Sequence, residues 1–165
     1  MSYFAFFHTH LMYGTELWGN CATSTRLLTW QKKALRIMLG LKPHDSCRSA
    51  FVNLKIMTLP SIYIYKNLLY VHENFHEFKT RLTVHEHNTR GKFNLDTPHV
   101  RLAKSVNSNK FQQLKLYNNL PMNTRNLEIQ KFKNTLKIWL KGKAFYSVSE
   151  YFDVSKSDLN NISTQ

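Results

Sequence analysis

The segment from Tyr13 to Gly40 constrains the fold more than any other, because it predicts a helix with two separated faces. At about 100° per residue, the apolar side chains fall on one contiguous side. They are Leu27, Trp30, Ala34, Leu35, Ile37, Met38, Leu39 and Leu41. The opposite arc carries only basic side chains among its charged residues: Arg26, Lys32, Lys33 and Arg36. The pattern therefore predicts that one face packs and that the other meets an anion.

Both ends of this predicted helix carry the expected signals. Thr23, Ser24 or Thr25 is suited to accept the unpaired backbone N–H groups of the first turn. Gly40 stands where a left-handed residue usually ends a helix. We therefore expect the helix to run from about Thr25 to Leu39.

The charge of the chain points to the same kind of partner. Lys and Arg number 23 against 10 Asp and Glu, which gives a formal net charge of +13 and a pI near 9.9. A basic domain of this kind releases condensed counterions when it binds phosphates, so nucleic acid is the first expected partner. An acidic protein or a membrane surface is the next expected partner. Hydrophobic residues make up 42% of the chain, which predicts a packed core.

Compartment and membrane association follow from a few residues. Cys21 and Cys47 provide neither a disulfide framework nor zinc-finger spacing, and unpaired thiols suit a reducing compartment, nucleus or cytoplasm. The apolar start of the chain lacks a basic leading region and is soon interrupted by His8 and His10. We therefore expect no signal peptide and no membrane span.

Apolar spacing predicts further helices on both sides of a basic middle segment. The first covers residues 2–18, and another begins at Pro60 and runs to about Phe78. A last helix carries Ile129, Phe132, Leu136, Trp139 and Leu140 on one face. Residues 153–165 are polar and are expected to form a disordered tail.

The middle segment, residues 79–115, has a different composition. It contains eight Lys or Arg and two acidic residues, and no helical period lasts. We expect short strands and loops there, ordered in part by a partner. Within it, Arg90 and Lys92 flank Gly91 and Phe93 follows, which makes this cluster a candidate contact to a single strand or hairpin; a solvated loop is the alternative.

Seven short blocks, in order, resemble one family. Their ranges are Tyr13–Gly19, Gln31–Ile37, Leu54–Pro60, Asn88–Arg90, Leu116–Pro121, Phe132–Lys137 and Ala144–Tyr151. This series is similar to the region after the palm in reverse transcriptases of LINE-type, non-LTR retrotransposons of the jockey-like kind. The similarity covers nearly the whole chain, from about Tyr3 to Phe152.

The resemblance implies a role for several of these residues. The corresponding helices of the family form the thumb, which holds the primer-template duplex beside the catalytic palm. The resemblance therefore places Lys32, Lys33 and Arg36 against a phosphate backbone. Together with the composition of the chain, it divides the sequence into four regions: a thumb-like helical region (1–78), a basic loop and strand segment (79–115), a C-terminal helical region (116–152) and the tail (153–165). The expected fold is mostly α, with short strands confined to the basic segment.

Polymerase catalysis is not expected from this chain. A polymerase holds two metal ions with palm aspartates, and the family carries an Asp-Asp turn for this purpose. The four aspartates here are isolated from any other acid: Asp45, Asp96, Asp153 and Asp158. We therefore expect a non-catalytic fragment without cofactor or metal that binds RNA, DNA or their hybrid.

Three other kinds of chemistry compete with this interpretation. His72 and His76 lie one helical turn apart and, with His85 and His87, suggest a structural zinc site, although His residues on a polar helix face are usually solvated. The run His85–Asn88 suggests a His-Asn-His nuclease but lacks the following ligand helix. Trp18, Trp30 and Trp139 have the chemistry to stack on bases, but core packing is the favoured interpretation.

Two further outcomes remain open for function. An apolar face left exposed by the missing palm would make the chain a protein-interaction module. Alternatively, the chain is a remnant of a mobile element without function. Among candidate nucleic-acid contacts, the sequence favours Arg26, Lys32, Lys33, Arg36, Arg90 and Lys92.

Overall fold

The computed structural model describes residues 3–84 and 91–154. A π-helical segment, Tyr3–His8, leads into α1, Thr9–Met12, and a short 3₁₀ segment spans Phe75–Glu77. The other α-helices, in chain order, are α2 (Thr15–Trp18), α3 (Ser24–Leu39), α4 (Arg48–Asn53), α5 (Leu59–Glu73), α6 (Arg81–Val84), α7 (Ala103–Val106), α8 (Asn109–Asn119), α9 (Met122–Arg125), α10 (Ile129–Lys143) and α11 (Val148–Asp153). The mostly α class expected from the sequence is confirmed.

Helix α5 lies at the centre of the fold. It packs against α1, α2, α3, α8, α10 and α11. Its first turn is fixed by Thr58, whose hydroxyl oxygen accepts from the backbone N–H of Ser61, and by Pro60, which needs no N–H partner there. Because neighbours surround it, α5 is apolar on nearly every side, with Ile62, Ile64 and Leu68 fully buried.

The apolar interior consists of two clusters. The larger one surrounds α5 and takes side chains from the first helices as well as from α8, α10 and α11. The smaller one lies where the beginning of the chain, α3 and α4 meet the end of α10; its members are Tyr3, Leu35, Cys47, Phe51, Ile56 and Ala144. Together they fix how α3 and α10 are presented at the surface.

The expected short strands in residues 79–115 are wrong for the part of this segment that the structure describes. A single antiparallel bridge joins Thr80 to Leu95, and helices α6, α7 and the start of α8 take up much of the remainder. Asn118 holds the bridge from α8, because its side chain accepts from Leu95 N–H and donates to Leu95 C=O. Pairing in this part of the segment is therefore limited to one bridge, which backbone hydrogen bonds on either side of Thr80 close and which Asn118 supports.

Helix boundaries agree with the predictions in most places. Gly14, with φ 57°, separates α1 from α2, and Gly40, with φ 64°, ends α3 in the left-handed conformation. The expected side-chain cap of α3 is wrong, because Thr23 makes no such bond. The helix that was predicted to run from Pro60 to about Phe78 is α5, and it ends at Glu73. The predicted tail begins too early, because Asp153 is still part of α11; from residue 155 onward it lies outside the described residues.

Candidate nucleic-acid interface

Gln31 sets the rotation of α3 about its axis. Its side chain is fully buried, its Nε2 donates to Tyr3 Oη at 2.9 Å and to Met57 O at 2.8 Å, and its Oε1 accepts from Leu59 N at 2.9 Å. A buried amide requires such partners, since an unpaired one costs free energy. Leu28 and Leu35, about one turn to either side, face inward with it.

This rotation places an unexpected set of side chains in solvent. Arg26, Trp30, Lys33 and Ile37 follow one another at intervals of three or four and are all exposed. We call these four residues the outer stripe. Trp30 is 60% exposed and Ile37 is 76% exposed, so the prediction that both pack in the core is wrong. Leu35 is buried as predicted.

The physical reason for this correction lies inside the apolar arc itself. Gln31 falls within the arc of apolar side chains, next to the direction of Leu35. Its three hydrogen bonds turn that part of the arc inward, which leaves the opposite edge with Trp30 and Ile37 in water. Met38 and Leu39 are also exposed. A polar residue in the middle of an apolar arc was the one available signal of this arrangement.

Lys32 does not belong to the outer stripe. It is half-buried, and its Nζ lies 3.6 Å from the centroid of the Tyr146 ring. Arg48 covers the same ring, with Cζ at 4.5 Å, and pairs through Nη2 with both carboxylate oxygens of Glu150 at 3.0 Å. Burial is the main cause that lowers the pKa of Lys32. Lys32 therefore stabilises the contact between α3 and the start of α11.

Arg36 is also committed to the protein itself. Its Nη2 donates to Asp45 O at 3.0 Å, and its Nε is buried without a hydrogen-bond partner. The same turn is closed by the Asp45 carboxylate, which accepts from the backbone N–H of Lys42 at 2.9 Å. The structure thus separates the three cations that the sequence grouped: only Lys33 faces solvent, whereas Lys32 and Arg36 hold neighbouring segments.

Lys92 lies far from α3. Its backbone O accepts from Leu82 N–H at 3.0 Å, and its Nζ lies 4.9 Å from the Phe93 ring, which borders a hollow with His72 near the end of α5. Gln31, by contrast, binds at the start of α5, a helix that is about 22 Å long. The structure therefore does not bring Lys92 together with the outer stripe. Arg90 lies outside the described residues.

His72 has both ring nitrogens occupied by protein groups. Nε2 donates to Leu127 O at 3.0 Å, which leaves Nδ1 to accept from Tyr117 Oη at 3.2 Å, and the ring stacks on Phe132 at 4.0 Å. A metal ion would need the lone pair of a ring nitrogen. Both nitrogens of His72 already take part in hydrogen bonds, so this arrangement does not favour the zinc site. Burial is the main cause that lowers the pKa of His72. Within the described residues no cluster of metal-ligating side chains occurs.

The structure describes only some of the residues on which the other competing interpretations depend. His85 and His87, like the whole run His85–Asn88 that suggested a nuclease, lie outside the described residues. Trp139 is buried between Phe145 and Tyr151, so the core interpretation is confirmed for it. Among the three tryptophans, Trp30 has the largest exposed fraction and the ring best placed to stack on a base.

Comparisons of the chain with protein-family models, with curated proteins and with solved structures gave no match. Across residues 3–84 and 91–154, none of the helices combines the length and the apolar composition that crossing a bilayer requires.

Proposed function

We propose that this chain is a non-catalytic fragment of a retrotransposon reverse transcriptase and that it binds the backbone of RNA, DNA or their hybrid without sequence specificity. The observation that carries the proposal is the outer stripe, in which two cations and an exposed aromatic ring alternate along one helix face. Cations bind phosphates, and aromatic rings stack on bases of any sequence. The family part of the proposal is supported by the seven ordered sequence blocks.

The charge of the chain supports the same function. With a net charge of +13, the protein attracts any polyanion, and the exposed cations of α3 add a local contact to this long-range attraction. Among the described residues, the side chains of Arg26 and Lys33 take part in none of the side-chain hydrogen bonds or ion pairs, so phosphates compete with little but water for them. Free Cys21 and Cys47 fit the reducing interior of a cell, nucleus or cytoplasm.

The test removes the outer stripe and measures binding to a labelled RNA–DNA hybrid across a salt series. In Arg26→Gln/Lys33→Gln, we expect the slope of log affinity against log salt to become shallower by about 1.8, at ~0.9 per lost phosphate contact. The matched control is Lys110→Gln/Lys131→Gln, which removes two exposed lysines from other helices. Equal slopes in the two variants would contradict binding through α3.

The aromatic contact has its own test. Trp30→Ala should weaken binding to single-stranded DNA by about tenfold or more, because base–aromatic stacking contributes ~1–3 kcal/mol per base. The melting temperature should change little, since the ring is largely in water. An unchanged affinity would remove stacking from the proposal and leave only the phosphate contacts.

A second candidate function is supported by the same surface. Ile37 lies beside a hollow formed with Gly40, Leu41 and Pro43, and this apolar surface is suited to a protein partner. Light scattering separates the two functions. A concentration-dependent oligomer that has no affinity for nucleic acid would favour the protein-interaction module.

A further inference from the structure

A hollow of about 460 Å³ lies near the end of α5, where the short 3₁₀ segment, the loop before Leu95 and α9 come together. A hollow of this size can hold a small organic molecule or one part of a larger one. Most of its wall consists of four rings and one methionine: His72, Phe75, Phe93, Tyr117 and Met122. None of the described residues that line it is acidic.

The inner wall of this hollow is held by the protein itself. Tyr117 is 1% exposed, and its Oη pairs with Nδ1 of His72 at 3.2 Å. The His72 ring stacks on Phe132 at 4.0 Å, and the Phe75 ring lies 6.0 Å from that of Tyr117. These contacts fix the inner rings, so a ligand meets a surface that is already formed.

The loop that carries Phe93 is also fixed, although the ring itself is in water. Asn94 Oδ1 accepts from Arg125 Nη1 at 2.9 Å, and Asn94 O accepts from Arg81 N at 2.9 Å. Lys92 O accepts from Leu82 N at 3.0 Å. Phe93 is nevertheless 51% exposed. An exposed ring on an ordered backbone can bind a ligand at a small cost in entropy.

Two polar side chains of the hollow are available to a ligand. Thr80 and Asn126 line it, and within the part of the chain that the structure describes their side chains take part in no hydrogen bond. A planar ligand that rests on the aromatic wall can therefore also form hydrogen bonds at its edge. A nucleobase has both an aromatic face and a polar edge, whereas a phenyl ring has only the face.

Cations lie beside the exposed ring of Phe93. Lys92 Nζ is 4.9 Å from the centroid of this ring, and Arg81 Nη1 lies 3.5 Å from the position that a Cβ atom would take on Gly91. Neither of the two described ion pairs includes Lys92 or Arg81. Positive charge at the edge of an aromatic hollow is complementary to a base that is attached to a phosphate backbone.

We propose that this hollow binds an unpaired base of single-stranded RNA or DNA and that Lys92 and Arg81 contact the adjoining phosphates. Phe93 supplies the exposed ring on which the base stacks. The inference rests on the proposed function for the class of partner. It adds a base-binding site that is separate from the outer stripe.

The first test measures the affinity for a short labelled oligothymidylate. Phe93→Ala should weaken binding about tenfold, the usual effect of losing one stacked base, whereas Phe93→Tyr keeps a ring and should bind like wild type. Leu102→Ala is the matched control, because it removes another exposed apolar side chain from the same basic segment. Equal affinities for Phe93→Ala and Leu102→Ala would overturn the proposal.

An abasic strand of the same length shows whether the base is what the hollow binds. Wild type and Phe93→Ala should bind this strand equally, because it keeps the phosphates and offers no base to stack. If Phe93→Ala weakens binding of the abasic strand as much as that of oligothymidylate, the ring does not hold a base and the proposal is wrong.

NMR locates the ligand directly. When thymidine 5′-monophosphate is added, the methyl signal of Met122, assigned with Met122→Leu, should shift and saturate, since this side chain lines the hollow. The signal of Met38, an exposed methionine on α3, should change little. A response of Met38 without one of Met122 would overturn this site and leave the α3 contact intact, so the two failures are distinguishable.

A second small probe distinguishes a nucleic-acid site from a protein site. N-acetylphenylalanine amide carries an aromatic ring but neither a phosphate nor a base edge. It should bind the hollow more weakly than thymidine 5′-monophosphate. Equal or tighter binding, read from the same Met122 signal, would overturn the proposal in favour of an aromatic side chain of a protein partner.

Discussion

Helices α3 and α10 have nearly the same pattern in sequence but meet the core in different ways. They contain 16 and 15 residues, and each carries apolar side chains opposite basic ones. In α10, Phe132, Leu136 and Leu140 are fully buried, as their spacing predicts. In α3, the residue at the centre of the buried face is Gln31, while Trp30 and Ile37 face water.

The difference teaches that one well-paired polar side chain can set the rotation of an amphipathic helix. Apolar burial is not directional, so a helix with a wide apolar arc has several acceptable rotations. Hydrogen bonds have strict geometry, and the three made by Gln31 fit only one of these rotations. The apolar side chains that remain outside then lie exposed in water, as Trp30 and Ile37 do.

The largest effect on the free energy of unfolding is expected when an apolar position of α10 is compared with an apolar position of α3. Leu136→Ala should lower the free energy of unfolding by about 2–5 kcal/mol, because it leaves a cavity in a closed core. Ile37→Ala should change it by less than about 0.5 kcal/mol, since the side chain lies in water. Urea denaturation measures both. Similar losses in the two variants would contradict the rotation of α3 described above.

The next effect tests the polar anchor of α3. Gln31→Met keeps the size of the side chain but leaves the buried groups of Tyr3, Met57 and Leu59 without partners. We expect a loss of about 2–3 kcal/mol in the free energy of unfolding, the cost of leaving buried polar groups unpaired. Gln130→Met, on the exposed side of α10, is the matched control and should be nearly neutral. A neutral Gln31→Met would mean that apolar packing alone orients α3.

The sequence predicted α10 because everything that decides its orientation lies within its own fifteen residues. It predicted the existence and ends of α3 for the same reason, with Gly40 as the stop signal. Its rotation was not predictable locally, because the partners of Gln31 lie 26 and 28 residues away in the chain. The candidate site inherited this error: Arg26 and Lys33 are exposed, but Lys32 and Arg36 are not free.

The basic segment shows a second limit of sequence patterns. Helix α8 buries Gln112 and Gln113 beside Leu114 and Tyr117, so its inward face does not read as apolar. Gln112 Nε2 donates to Val106 O at 2.9 Å, which satisfies part of the buried amide. In α8 the buried glutamines hide the helical period, whereas in α3 the period was visible and Gln31 changed only the rotation of the helix. Both corrections therefore have one physical cause, namely polar side chains whose partners come from elsewhere in the chain.

A smaller effect concerns the contact of α10 with His72. The pKa of His72 is lowered in the folded protein, so near and below the unfolded value of about 6.5 the unfolded chain binds more protons. Stability from this group is therefore present above pH 6.5 and is lost as the pH falls toward the folded pKa. In His72→Gln, we expect melting temperature to depend less on pH between 7 and 5 than in wild type.

His76→Gln is the control for this measurement, because His76 is exposed in the turn that follows α5. His8, whose pKa is also lowered, remains in both variants and contributes equally. Identical pH profiles for the two variants would show that the stacked ring of His72 on Phe132 does not carry the pH dependence.

The smallest effect separates neighbouring lysines on α3. Lys33→Gln should reduce the salt slope of duplex binding by about 0.9, the value for one phosphate contact, and leave stability unchanged. Lys32→Gln should leave the slope unchanged but lower the free energy of unfolding by about 0.5–1 kcal/mol, because its ammonium lies over the Tyr146 ring. Adjacent residues with the same charge would then act on different properties. If both variants alter the salt slope equally, Lys32 leaves Tyr146 when nucleic acid binds, and the cationic surface of α3 is wider than the outer stripe.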